Sequence, residues 1–507
     1  MSGSFELVIG FVALGIIVVT WIGVRTGRAA SHTLEGWMVN DRKMGPFLTW
    51  FLLGTEIYTA FTFLGLAGFA FANGGAAYYN VATNDVGYAL GFFILPAIGL
   101  IGRKYQHVTQ SDFIADRYQS PALGILVAFC SAIIMIAYID LNIEGLGAIL
   151  NVLTEHRLNV LDAEIIGFLV LSFAVFFGGI RGNAWQSVIK DILMFLSIAA
   201  LFFVIPFKFF GGFGPMFDRM MTEIPQNITL PGPHHKLGLM WLATTILLTG
   251  FGQWMWPQWF NVAYSARGSK TLKAQAVFMP FYQLVKVAVI TIGFAAVLIF
   301  AGQKVVGNEV VMLLAKQVFP VWFLALFALA AVLSAIVPAG PIIMMSCTLL
   351  SHNVYAKLMP ATKPQTVFAI SRGLVFVVTF LALLLAIVAH SLIALVLLAA
   401  YNFIAQLVPG ILIGGLFWRR ATRTGVFAGL AVGWALTVYF LLSNTTAIGG
   451  VNSGFVALVA NTLVFFSVSL VTRPVRADIL EEFLAAAREP RIQTAAANGA
   501  ISPLPAE

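Results

Sequence analysis

A chain of 507 residues that is 60% hydrophobic and only 10% charged, with a mean hydropathy of +0.92, has too little polar surface to clothe a soluble core. Apolar runs of about 20 residues recur along it, the length that crosses a hydrocarbon slab of ~30 Å, so lipid is the solvent for most of its side chains. A net charge of +8 would suggest nucleic acid in a soluble protein, but no run of five basic residues is present and the excess lies between the apolar runs.

The N-terminus, MSGSFELVIG, carries one acid and no base ahead of its first apolar run, unlike a signal peptide, so that run is expected to remain as the first helix. Thirteen spans are predicted, centred near residues 15, 60, 94, 135, 170, 198, 249, 288, 332, 378, 405, 433 and 462. With the N-terminus outside, 21 of the 29 Lys and Arg fall in inner loops. Six, Arg157, Lys208, Arg219, Lys236, Lys304 and Lys316, fall outside, and Lys190 and Lys286 remain within spans. Lys and Arg resist translocation, so the bias predicts an N-out, C-in topology. A transmembrane unit over residues 1–472 is then followed by a cytoplasmic segment, 473–507, with an amphipathic helix in ADILEEFLAAARE and a disordered end. Cys130 and Cys347 lie within apolar runs without metal-ligand spacing, and the adjacent His234 and His235 do not share a helix face.

Polar residues inside spans are the informative ones, because a lipid-facing helix has no use for them. The second span reads FLLGTEIYTAFTFLGLAGFAFANGG, with Glu56, hydroxyls at Thr55, Tyr58, Thr59 and Thr62, and five glycines. Such a helix is expected to unwind at membrane depth, exposing carbonyls and a half-helix N-terminus. In the fourth span, YIDLNIEGLG stacks Asp140 on Glu144 at i and i+4. Two like charges there need a shared proton, as in a proton carrier, or a cationic partner such as Lys190 or Lys286. The sixth span opens GNAWQSVIKDILM, and a helix starting at Asn183 would let Lys190 snorkel to the interface. The seventh, TTILLTGFGQWMWPQWFNVAYSARGSK, sets Gly250, Gly252 and Pro257 among Trp254, Trp256 and Trp259, which predicts a break gated by aromatic rings. In the ninth, Pro338, Gly340 and Pro341 beside Ser334 predict a further interruption. Interrupted spans two, seven and nine point to a binding site at the bilayer midplane.

Four segments together, GTEIYTAFTFLGLAGFAFANG, GGIRGNAWQSVIKD, GFGQWMWPQWFNVAYSARGSK and ALAAVLSAIVP, resemble the sodium:solute symporter family, over nearly the whole chain to about residue 472. The resemblance implies an all-α integral membrane protein with an inverted five-plus-five, LeuT-like repeat and extra flanking helices. Within the family, DRKMGPFLTWFLLGTEIYTAFT and VIKD are most similar to bacterial monocarboxylate permeases, which implies uptake of short carboxylates such as lactate or pyruvate. The family pattern also implies a sodium site from the carbonyls of Thr55, Tyr58 and Ala331 and hydroxyls at positions 334 and 335. Here only Ser334 carries a hydroxyl, position 335 is Ala, and the family's frequent span-six acid is Ser187. A hard cation needs several oxygens, so the site is expected to hold sodium weakly. In some related transporters a lysine of the equivalent helix stands in that space, which implies the same for Lys190, facing Ser334, with proton-based or ion-free coupling. Asp140 and Glu144 depart from a stretch usually uncharged in the family and open the alternative of a zwitterionic or cationic solute, such as proline.

The chain is therefore expected to be a secondary transporter of the bacterial inner membrane, importing a small organic solute by alternating access with proton or sodium coupling. Glu56, Thr59, Thr62, Asp140, Glu144, Trp254 and Trp256 are expected at the solute; Thr55, Tyr58, Ala331, Ser334 and Lys190 at the coupling site. A channel would need a repeated filter or charged ring, and an enzyme a constellation such as HExxH or GxSxG; the sequence carries neither. The solute and the bilayer are the expected partners, with no cofactor, nucleic acid or obligate protein partner.

Overall fold

The computed structural model describes residues 2–28, 33–155, 157–177, 179–234, 237–388 and 393–488. His235, Lys236 and the chain end expected to be disordered lie outside the described residues. Helix α1 (Ser2–Gly27) is followed by the short α2 (Leu34–Val39), capped by Thr33, whose side chain accepts from the Gly36 N–H. The first repeat starts with a helix in two pieces, α3 (Pro46–Thr55) and α4 (Leu66–Asn73). It continues through α5 (Tyr79–Tyr105), the short α6 (Gln110–Tyr118), α7 (Pro121–Leu153), α8 (Val160–Phe177) and α9 (Ile180–Phe210). Two short helices, α10 (Phe213–Glu223) and α11 (Pro225–Ile228), lead into the second repeat. This also starts with a helix in two pieces, α12 (Leu239–Gly252) and α13 (Pro257–Ser265). Then come α14 (Ser269–Phe278), α15 (Gln283–Ile299), α16 (Val310–Val318), α17 (Val321–Thr348), α18 (Ala356–Leu358), α19 (Pro364–Val388) and α20 (Ile393–Ile404). Helices α21 (Arg423–Leu442) and α22 (Ser453–Val471) precede α23 (Ala477–Ala486), the amphipathic helix expected there, which buries Leu480 and Phe483.

Among the described residues, ten stretches are long and apolar enough to cross a membrane. One of them, Phe61–Tyr105, holds both α4 and α5; taking these apart and adding α8 and the broken pair α12–α13 gives thirteen spans, with the expected centre near residue 60 falling in the break between α3 and α4. Large apolar side chains such as Phe93, Leu442 and Val471 stand exposed, as they must where lipid replaces water. Helix α7 packs on α8, α17 and α19, whereas α5 gathers α12, α13 and α14; α9 touches α1, α3, α15 and α17.

The two broken helices have different causes. Between α3 and α4 no proline intervenes; the chain leaves the helix after Thr55 and re-enters through a wide turn at Phe61–Gly65. Hydroxyls replace the missing main-chain bonds there: Thr59 Oγ1 accepts from the Phe61 N–H at 3.2 Å, and Thr62 donates to the Ile57 carbonyl. Between α12 and α13, Pro257 forces Trp256 into an extended conformation, φ −69° and ψ 130°. The break expected in span nine is absent, and α17 runs unbroken through Pro338 and Pro341. Pro341 has no N–H for the carbonyl of Val337, and Asn183 Nδ2 donates to that carbonyl instead, at 2.7 Å. Gly340 leaves the space, since a Cβ there would lie 2.5 Å from Asn183 Nδ2.

On the face that the charge bias assigns to the cytoplasm, Met44 N–H donates to Ser265 O at 3.0 Å and Arg267 N–H to Met44 O at 2.9 Å. Arg42 reaches Glu35 at 3.2 Å and donates to His107 O at 3.0 Å. Asp112 caps α6, accepting from the Val108 and Thr109 N–H groups, from Asn353 Nδ2 at 2.7 Å and from His352 at 3.4 Å. Main-chain and polar side-chain contacts thus tie the start of α3 and the end of α13 together on this face.

Candidate substrate and coupling site

Helix α9 begins at Ile180, three residues earlier than Asn183, so Lys190 lies ten residues in, ~15 Å along the axis. It is fully buried and does not snorkel. Its Nζ donates to Tyr58 O at 2.7 Å, in the break after α3, and to Thr55 O at 3.3 Å, at the end of α3, and pairs with Asp191 Oδ1 at 2.7 Å. Asp191 Oδ2 accepts from the Tyr282 hydroxyl at 2.8 Å, and the Tyr58 hydroxyl donates to the Tyr282 carbonyl at 3.1 Å. Gly54 admits that ring: a Cβ there would stand 1.9 Å from Tyr282 Oη. Two carbonyls that the family pattern gives to sodium are therefore held by an ammonium. Ser334 does not face it; its hydroxyl donates to Ala331 O at 2.6 Å, so the Ser334 and Ala331 oxygens satisfy each other within α17.

Beside this pair, Glu56 is 4% exposed, with Oε2 accepting from Gln258 Nε2 at 3.3 Å and Oε1 without a partner. The indole of Trp256 meets the rings of Tyr138 at 4.9 Å and Tyr401 at 5.3 Å, and Glu56 lies within the electrostatic reach of both tyrosines. Both helix breaks, α7 and α20 thus converge on one carboxylate and three rings. Nothing in the sequence set Tyr138, Gln258 and Tyr401 apart, because aromatic and amide residues within apolar spans are common packing residues.

Other expected members are elsewhere. Trp254 Nε1 donates to Gly87 O at 2.5 Å and its ring packs on Trp259, so it is committed to α5. Asp140 and Glu144 lie on another stripe of α7 from Tyr138, as a two-residue offset of ~200° requires. Asp140 faces Glu144 and Glu164 of α8, and a Cβ on Gly147 of the same stripe would touch Glu164 at 2.9 Å. Gly145, on the Tyr138 stripe, abuts Ala60 of the first break. The structure thus separates the two acids of span four from Glu56, and Glu164 joins them from a span that sequence reading passed over. Among the described residues no group of His, Cys, Asp and Glu is placed to hold a metal ion.

The model of the sodium:solute symporter family matches residues 37–433. The chain is 34% identical over 484 residues to the uncharacterized symporter YhjB of Bacillus subtilis, covering 93% of this chain and 98% of that one. It is 26% identical over 489 residues to a monocarboxylate transport permease protein of Rhizobium johnstonii, covering 92% and 96%. In structure it is similar to a Na+-coupled sialic acid symporter in a substrate-bound outward-open state, with a TM-score of 0.75 at 15% identity, covering 93% of this chain and 98% of that one. It is similar also to Mhp1, a nucleobase-cation-symport-1 family transporter, with a TM-score of 0.53 at 15% identity, covering 90% and 99%. The inverted repeat with a broken helix heading each half is the fold these share, and with a family match across most of its length this multi-pass membrane protein belongs to the sodium:solute symporter family of secondary active solute symporters.

Proposed function

We propose that this symporter imports a small organic solute through a plasma membrane by alternating access, and that Lys190 takes the part a sodium ion would otherwise play. The observation that carries this reading is the ammonium of Lys190 on the carbonyls of Tyr58 and Thr55. Passing its proton to Asp191 would leave a neutral amine and a neutral carboxylic acid, and the break after α3 would lose its cation. Coupling to protons follows if Asp191 then releases that proton to the inside and Lys190 is protonated again from the outside.

For the passenger we propose a short carboxylate, bound between the two helix breaks where freed N–H groups favour an anion. The Rhizobium relative's name supports a bare monocarboxylate such as lactate. Glu56 supports the second reading, an amino acid or similar zwitterion. Its unpartnered oxygen would pair with an ammonium, which the faces of Tyr138, Trp256 and Tyr401 would also attract.

Counterflow in proteoliposomes with labelled lactate, alanine and proline, with and without sodium and at two pH values, tests both points. Lactate exchange indifferent to sodium and raised by acid supports the first reading; exchange of alanine or proline alone supports the second. If exchange requires sodium, or if Lys190→Met keeps the full response to pH, the role given to Lys190 is wrong.

A further inference from the structure

Helix α15 carries a second buried lysine that the coupling site does not use. Lys286 is 2% exposed, and its Nζ meets the side-chain oxygen of Asn84 at 3.0 Å, in the amide orientation that satisfies both groups. That is one acceptor for a side chain with three donors when charged, whereas Lys190 donates to two carbonyls and pairs with a carboxylate. The charged group whose field reaches Lys286 is Asp85. Asp85 is exposed and lies six residues into α5, ~9 Å from the end that the charge bias puts outside.

Two polar networks, one around each lysine, meet on a single short segment. Asn84 contacts the Tyr88 hydroxyl at 3.2 Å, and Gln283 Nε2 donates to that hydroxyl at 3.1 Å. The residue before Gln283 is Tyr282, whose hydroxyl donates to Asp191 beside Lys190. Residues 282, 283 and 286 fall within little more than one helical turn, so one short segment touches both networks. The titratable groups around it are Tyr282 just before α15, Tyr78 just before α5, Asp85 and Tyr88 of α5, Lys190 and Asp191 of α9, and Tyr58 of the first break; α3 and α4 supply none. Tyr401 of α20 acts on Tyr88 from a distance. Asp218, Arg219 and Glu223 of α10 and Lys316 of α16 sit on the short helices outside the main spans.

We propose that Lys286 is a second proton-binding site of the symporter, loaded from outside. The Lys286 amine takes a proton from the outer side and becomes an ammonium, a form that the Asp85 carboxylate favours from a distance. The added charge then acts on the Lys190–Asp191 pair across Tyr88, Gln283 and Tyr282. This rests on the proton-coupled reading of Lys190 and adds the group that feeds it.

The test is uptake of whichever of lactate, alanine or proline exchanges in counterflow, into proteoliposomes whose outer pH is stepped across neutrality at fixed inner pH, and the converse. Wild type should respond to both steps. Lys286→Met and Asn84→Leu should each weaken the response to outer pH about tenfold, the size of a typical coupling between two sites. Asp85→Asn should remove the response to outer pH and spare the response to inner pH. Lys286→Arg keeps a charge without titrating, so it should stay unresponsive; full rescue by arginine would assign Lys286 a structural role and overturn the proposal. Wild-type behaviour of Lys286→Met, with Lys190→Met unresponsive, would remove the second site and leave the coupling reading standing. Wild-type behaviour of both would remove both. If Lys286→Met does not fold, Asn84→Leu and Asp85→Asn carry the test, and a wild-type response from both overturns it.

Discussion

A buried ammonium that donates to two carbonyls and lies 2.7 Å from a carboxylate oxygen is compensated by hydrogen bonds and by opposite charge, which is the condition for keeping a charge in a dry interior. Lys190→Met strips the partner from Asp191 and from two carbonyls, and should cost ~3–5 kcal/mol, as broken buried ion pairs do. Adding Asp191→Asn should recover part of the loss in thermal unfolding in detergent, since the uncompensated charge leaves with it. If the double variant is no more stable than the single one, the cost does not arise from Asp191. Sequence reading could find Lys190, because a charge inside an apolar run stands out. It could not find that Ser334 is satisfied by Ala331, or that Tyr138 and Tyr401 flank Trp256, because those pairings exist only once distant helices meet.

Breaks and continuity in the helices follow from where main-chain groups find partners. Pro257 announces its break locally through the extended residue before it, and the break after α3 shows in its glycines and hydroxyls. Pro341 misleads a local reading because the carbonyl it leaves empty is filled from α9, by Asn183. Gly340→Ala should push Asn183 off that carbonyl and cost ~1–3 kcal/mol by overpacking, read as a lower unfolding temperature. In Gly54→Ala the new methyl displaces the Tyr282 ring, so its hydroxyl should leave Asp191 and transport should fall while the protein still reaches the membrane. Uptake at the wild-type rate would show that the Tyr282 contact is dispensable.

Across the whole molecule, the contact of α6 with Leu349–Tyr355, just after α17, makes acid a structural reagent. Burial pushes the Asp112 carboxyl up, but the hydrogen bond and charge of His352, the charge of His107 and the Val108 N–H together hold it well below the usual range. A group whose folded pKa lies below its unfolded one stabilises the fold above the unfolded value, near about 4, and that contribution is lost as pH falls through the lowered folded value. Asp112→Asn should lower the unfolding temperature at neutral pH and shrink its fall in acid; an equal fall in both proteins would rule Asp112 out as the cause. By contrast, Arg419 and Glu481 are both more than half exposed, and their ion pair should be worth no more than about 1 kcal/mol. The architecture was legible before any coordinates, because thirteen apolar runs and a one-sided charge bias are properties of composition along the chain. The contacts that tie α6 to the segment after α17 were not, since residues 112 and 353 are brought together only by the folded core.

The cation between the Thr55 and Tyr58 carbonyls hangs on a leash of four methylenes, and a leashed occupant draws on no pool of dissolved salt. Its seat is as full in rainwater as in brine. Half-saturation by the passenger should therefore stay put as the medium's salinity is varied, where a carrier with a free-swimming partner would drift with every dilution.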